Sequence, residues 1–306
     1  NSCLLSTIKQ LYNLIWFCQK VQIPFEVYAL SNAYYNREMI EIPRVSEPIE
    51  NEFYIEHEFR LLNFFSSKGN KAKLEQHLVN IWRLAYSMNY QSRWNCRYCV
   101  PDRYTLGGTP LNETIVALHR IIPQFKKENK VQKVQCIILT DGEAGPLPVY
   151  KTYTDYRDGE EKLGCRRWSP ENSYLRNRKT GHTYKLPHEF YKFTEILLND
   201  LKRMHPDVNF IGMRVLAPRD FNSFIRRYEY MSEEQMKKAK KDKTYSIKDC
   251  GYDTYFAIMD SALSNDDEFV VQEDATKAQI KRAFVKSLKT KKLNKKVLGE
   301  FIELVA

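Results

Sequence analysis

The 306 residues are 43% hydrophobic and 13% aromatic, with 20 Tyr and 16 Phe. That composition excludes a disordered polymer and suits one large domain with insertions or two modest ones. The net charge is +10, and much of it lies in residues 237–243 (KKAKKDK) and 286–296 (KSLKTKKLNKK); solvated helix faces are the simpler reading of these runs, a surface for nucleic acid or an acidic partner the sharper one.

No apolar run reaches membrane-spanning length, the strongest being residues 11–18, which Tyr12 and Asn13 interrupt. No secretory leader is expected, since a basic start and a small-residue cleavage site are missing from the N-terminus. Cys3, Cys18, Cys96, Cys99, Cys136, Cys165 and Cys250 are odd in number and scattered. They read as reduced thiols of a cytosolic protein rather than a disulfide framework.

In chain order, Leu4, Ile8, Leu11, Ile15 and Cys18 recur at helical steps and predict a helix over residues 3–19. Pro24 stops it, and residues 25–30 read as a strand. Residues 32–51 are irregular, broken by Pro43 and Pro48. A second helix is predicted over residues 72–88. After the Gly107-Gly108 pair, Leu111, Ile115, Leu118, Ile122 and Phe125 mark a third, followed by a short apolar strand over residues 134–139 of the kind buried in a parallel sheet. Residues 150–186, with turn signals at Asp158-Gly159 and Thr180-Gly181, read as a solvent-facing β-ribbon. A fourth helix over 190–204, a strand over 209–215, a basic helical stretch and an edge strand over 252–258 complete the alternation. The end reads as helical, with capping-box spacing at Thr276-Lys277-Ala278-Gln279 and an apolar stripe from Leu293 to Val305.

Alternating strands and helices predict an α/β fold with a doubly wound, mainly parallel sheet. The expected organisation is a main domain over residues 1–262, with insertions at about 32–66 and 150–188, and a helical C-terminal extension over 263–306. In such sheets ligands sit beyond the carboxyl ends of the strands. Two short stretches fall there, Leu106-Gly107-Gly108-Thr109-Pro110-Leu111 and Leu139-Thr140-Asp141-Gly142-Glu143.

These stretches, in this order, resemble the von Willebrand factor A domain and its metal-ion-dependent adhesion site. In that family an Asp-x-Ser-x-Ser loop after the first strand, a Thr after a Gly-rich turn and an Asp closing a later strand hold one divalent ion. The resemblance implies that Thr109 is the hydroxyl ligand and Asp141 the carboxylate, and that the ion is Mg²⁺ or another hard divalent cation with an open position for a partner's carboxylate. Each residue also has a plainer reading: Thr109 as a helix N-cap ahead of Pro110, and Asp141-Gly142 as a turn after a strand.

Residues 11–32, Phe64-Phe65-Ser66-Ser67, residues 106–111, 139–143 and 301–306 look like the von Willebrand A proteins of large tailed bacteriophages, which are similar to the CobT subunit of cobaltochelatase. That likeness implies a non-catalytic protein-interaction module working with a AAA+ ATPase of the MoxR or CobS type, in the infected host's cytoplasm or the virion. It does not imply cobalt insertion, and nothing in the chain reads as a tetrapyrrole pocket. The alternatives are a nucleic-acid-binding accessory protein and a structural virion component.

One departure from the family pattern stands out. The chain starts at Asn1-Ser2-Cys3, where Asp-x-Ser-x-Ser should just have ended. Either the natural protein continues upstream with that motif, or the site has been lost. The first is favoured, because losing a central strand leaves two inner strands unpaired.

Other constellations are weaker. Cys96 and Cys99 have zinc-like spacing, and Cys165, His182 and His188 are the residues that would complete a site; free thiols are the favoured reading. Arg93, Trp94, Arg97, Tyr98 and Arg103, with Arg166, Arg167, Trp168, Tyr174, Arg176 and Arg178, mix basic and aromatic groups that stack bases and hold phosphates in nucleic-acid proteins. HExxH, GxSxG and Walker patterns are all missing.

Overall fold

A computed structural model describes residues 3–32, 47–55, 58–88, 104–166, 168 and 173–262. The extension expected over 263–306, the Cys96 and Cys99 pair and the lysine run of 286–296 lie outside the described residues. Helix α1 (Cys3–Lys20) leads into strand β1 (Glu26–Ser31), which pairs antiparallel with β2 (Arg60–Ser66). Thus the end of the span expected as an insertion is a regular strand. Helix α2 (Lys71–Met88) packs beside α1, and Ile8, Ile15, Phe64, Phe65, Leu74, Leu78 and Ile81 form a core between these elements. The 3.6-residue spacing of the apolar positions in both helices places them on the faces that meet.

The central sheet is mostly parallel. Helix α3 (Leu111–Asn129) precedes β3 (Val134–Thr140), which pairs parallel with β8 (Val208–Leu216). On its other side β8 pairs parallel with β10 (Thr254–Met259), and β10 pairs antiparallel with β9 (Thr244–Ile247), giving the order β3-β8-β10-β9. The strand expected at the edge is therefore internal, and the edge strand is β9. Four residues, TYSI, between a lysine-rich helix and a turn carry too little periodicity to stand out, and pairing with β10 defines them. Nearly every residue of β8 is buried, which its apolar run requires of a strand covered on both faces.

Between β3 and β8 the chain makes two short hairpins, β4 (Val149–Thr154) with β5 (Glu161–Arg166), and β6 (Tyr174–Arg176) with β7 (Thr183–Lys185). The expected ribbon is present, but it is not wholly solvent-facing. Trp168 is 4% exposed and Leu186 2% exposed, both in the main core. Helix α4 (Phe190–Met204) receives them and packs against α3 and β8. Helices α5 (Pro218–Tyr228) and α6 (Glu233–Asp242) fill the basic stretch. A capping box at Ser232 and Gln235 starts α6, which buries Met236 and Ala239 and exposes Lys237, Lys238, Lys240 and Lys241. That is the solvated face the lysine run suggested. No described helix is long and apolar enough to cross a membrane.

Two histidines couple this packing to pH. The rings of His119 on α3 and His205, which ends α4, lie 5.9 Å apart. Burial lowers the pKa of His119, outweighing the opposing pull of Asp200; burial also lowers that of His205, reinforced by the charge on His119. The unfolded chain therefore takes up more protons than the native one as pH falls through the ordinary histidine value of about 6.5. Stability present above that value is lost below it. The thermal midpoint is expected to fall between about pH 7 and pH 5, and less steeply in a His119→Gln, His205→Gln variant. A slope unchanged by the substitutions would assign the acid sensitivity to other groups.

Candidate functional site

The C-terminal ends of β1, β3 and β8 lie together. Buried Ser31, the last residue of β1, donates its hydroxyl to the carbonyls of Thr105 (3.0 Å) and Gly107 (3.3 Å) and accepts from the Gly107 N–H. The Asn32 N–H donates to the Gly107 carbonyl at 3.0 Å. The glycine turn is thereby fastened to the end of β1. Gly108 has φ +66°, a conformation that favours glycine, and a Cβ there would fall 1.7 Å from Asn32 Oδ1 and displace that side chain.

Thr109 follows that turn. Helix α3 begins at Leu111 with Pro110 at the cap position and no side-chain cap, so the hydroxyl of Thr109 does not serve as the N-cap. It stands instead against the end of β3: a Cβ on Gly142 would lie 1.9 Å from Thr109 Oγ1. Gly142 directly follows Asp141, and the structure thus brings the two sequence-predicted ligand loops into contact. The loop after β3 is further held by buried Asn112, whose Nδ2 donates to the Gly145 carbonyl at 2.7 Å while its Oδ1 accepts from Thr194 at 2.8 Å.

Asp141 lines an open cavity of about 540 Å³ at the ends of β3 and β8. Cys3, in the first turn of α1, lines the same cavity, as do Arg214, Arg219 and Arg227. Arg227 forms an ion pair with Glu143, and Arg219 lies 3.5 Å from Asp220. The three arginines were not picked out from the sequence. The available signal was Arg214 itself, a lone charge in the apolar run of β8.

The site residues supply two hard oxygens, the Thr109 hydroxyl and the Asp141 carboxylate, whose chemistry suits Mg²⁺ but which are short of a full shell. No group of three His, Cys, Asp or Glu that could hold a metal occurs among the described residues. Cys165 is exposed and His182 stacks edge-on against Tyr184, while the other half of the expected zinc set is outside the described residues. None of the five described cysteines is in a disulfide, and burial pushes the thiols of Cys136 and Cys250 up to about 12, away from nucleophilic reactivity.

The basic and aromatic ribbon is less available than its sequence suggested. Trp168 is packed between Phe190 and Phe193, with centroid distances of 5.2 and 5.6 Å, so its ring cannot stack on a base. Arg166 lies over the Tyr153 ring at 3.7 Å, and Arg178 is paired with Glu52. Tyr174 stays exposed. Arg93, Trp94, Arg97, Tyr98, Arg103 and Arg167 are outside the described residues. No protein-family model, curated protein or solved structure matches this chain.

Proposed function

We propose that the chain is a protein-interaction module of the von Willebrand factor A type, with a doubly wound sheet that presents a divalent cation to a carboxylate of its partner. The observation that supports this reading is the convergence of three elements on one end of the parallel sheet. The first turn of α1 and Asp141 share a cavity, and Thr109 meets the residue after Asp141. Thr109 and Asp141 would hold the ion, and an Asp-x-Ser-x-Ser loop ahead of α1, which the resemblance implies, would complete the shell with water. When bound, the ion supplies an open coordination position for an anionic oxygen. The partner in this reading is a AAA+ ATPase of the MoxR or CobS type in a large tailed bacteriophage.

The test is equilibrium binding to that ATPase with Mg²⁺ and with EDTA, using a chain that carries the upstream motif. Asp141→Ala is expected to abolish the Mg²⁺-dependent part of the affinity while the circular dichroism spectrum is kept, because Asp141 is exposed and follows the last residue of β3. Affinity unchanged by EDTA would rule the mechanism out.

A further inference from the structure

We propose that the cavity beside Asp141 is also a receptor for a single carboxylate group, held by Arg214 without the help of a metal ion. Arg214 sits near the C-terminal end of β8 and is only 7% exposed. Its Nε is buried and has no hydrogen-bond partner among the described residues. Nor does any ion pair there include it. Its guanidinium lies 5.7 Å from the centre of the Phe224 ring, and the side chain lines the open cavity. A buried guanidinium left without an anion is costly, so a side chain held in this state and lining an open cavity points to an anion that enters from outside.

The surroundings add to the attraction and select the ligand. Helix α5 starts at the cavity with Ala217 as its cap, and no side chain makes a capping hydrogen bond to its first turn. The partial positive charge of an eleven-residue helix is therefore directed at the same space. The other charges nearly cancel. Arg227 is engaged by Glu143, and Arg219 by Asp220. Among the described residues one uncommitted positive group remains there, Arg214, with the Asp141 carboxylate at the same cavity. A monoanion whose two oxygens match the planar guanidinium fork fits this balance, whereas a dianionic phosphate brings one negative charge more than the single unpaired guanidinium neutralises, beside the Asp141 carboxylate.

This proposal does not rest on the metal reading, and one experiment separates them. The full chain, labelled with ¹⁵N and kept in EDTA, is titrated with sodium acetate, sodium phosphate or sodium chloride at matched ionic strength, while the Arg214 Nε–H resonance is followed. Acetate is expected to shift that resonance saturably, with phosphate weaker and chloride linear. Arg214→Lys keeps the charge but not the fork, and is expected to weaken acetate binding about tenfold or more, read from the first-turn amides of α5. Asp141→Asn removes a competing anion from the cavity and is expected to tighten acetate binding; if Arg214→Lys does not fold, this variant and the wild-type titration still decide. A linear acetate response, an unchanged affinity in Arg214→Lys, a weaker one in Asp141→Asn, or phosphate binding tighter than acetate would overturn the assignment. Because EDTA is present throughout, none of these results depends on Mg²⁺, and Mg²⁺-dependent partner binding is scored separately.

Discussion

Phe193→Ala is expected to lower stability by about 3–5 kcal/mol, the range for truncating a fully buried phenylalanine. Phe193 has no exposed surface and stands on the inward face of α4 with Leu197, Leu198 and Leu201. Its ring meets Phe53 at 5.3 Å and Trp168 at 5.6 Å, so one side chain joins α4 to two segments that have little regular structure of their own. Removing it leaves a cavity lined by rigid rings, which close over a void poorly, and the cost should lie near the upper end of that range. Phe190 is the control: it also touches Trp168 but is 40% exposed, and Phe190→Ala should cost far less. Denaturant unfolding of both variants measures the difference. Equal losses would show that the ring cluster around Phe193 does not fasten the ribbon.

Asp200→Ala should be the next most damaging change, at about 2–4 kcal/mol, because charge-assisted hydrogen bonds are lost and their donors stay partly buried. Asp200 is 6% exposed and lies seven residues, two helical turns, after Phe193 on α4. Its carboxylate accepts from Asn177 Nδ2 at 2.7 Å and from the Tyr184 hydroxyl at 3.2 Å, and His119 Nε2 is 3.6 Å away. Asn177 belongs to the turn of the β6–β7 hairpin and Tyr184 to β7, so Asp200 ties that hairpin to the helix. Asp200→Asn retains an acceptor and should cost less, yet it should steepen the loss of stability in acid. The carboxylate opposes the burial that lowers the His119 pKa, and without it the native imidazole resists protonation further. Urea unfolding at two pH values, with proteolysis of the 177–182 turn as a local readout, checks both parts. An acid slope in Asp200→Asn no steeper than wild type would separate the carboxylate from the histidine.

Local patterns made most of the regular elements legible. The apolar steps of α1 and α2 matched the observed helices within a residue, those of α3 marked its start at Leu111 but stopped at Phe125, short of its end at Asn129, and α4 was expected at its observed bounds. The reason is that a 3.6-residue repeat over four or five turns leaves little choice of face. The strands β3 and β8 were legible because a strand buried on both sides reads as one continuous apolar run. The short strand β9 and the internal place of β10 were not, since pairing order is a property of distant segments. Trp168 looked like part of a solvent-facing basic ribbon because its neighbours in sequence are arginines; its burial depends on α4, which follows it in the chain.

For the site, the sequence by itself determined the parts: a glycine turn that puts Thr109 before a helix, and an aspartate that ends a parallel strand. Only the tertiary structure decided that these parts meet. Their contact requires β1 to hold the glycine turn through Ser31, and Asn112 to hold the loop after β3, hydrogen bonds between residues 76 and 33 positions apart. Arg214 belongs wholly to the second class. In the sequence it is a single charge within a strand, and its lack of an anion becomes visible when β3, β10 and α5 close around it, because the cost of an unpaired charge is set by what excludes water from it and not by the residues beside it in the chain.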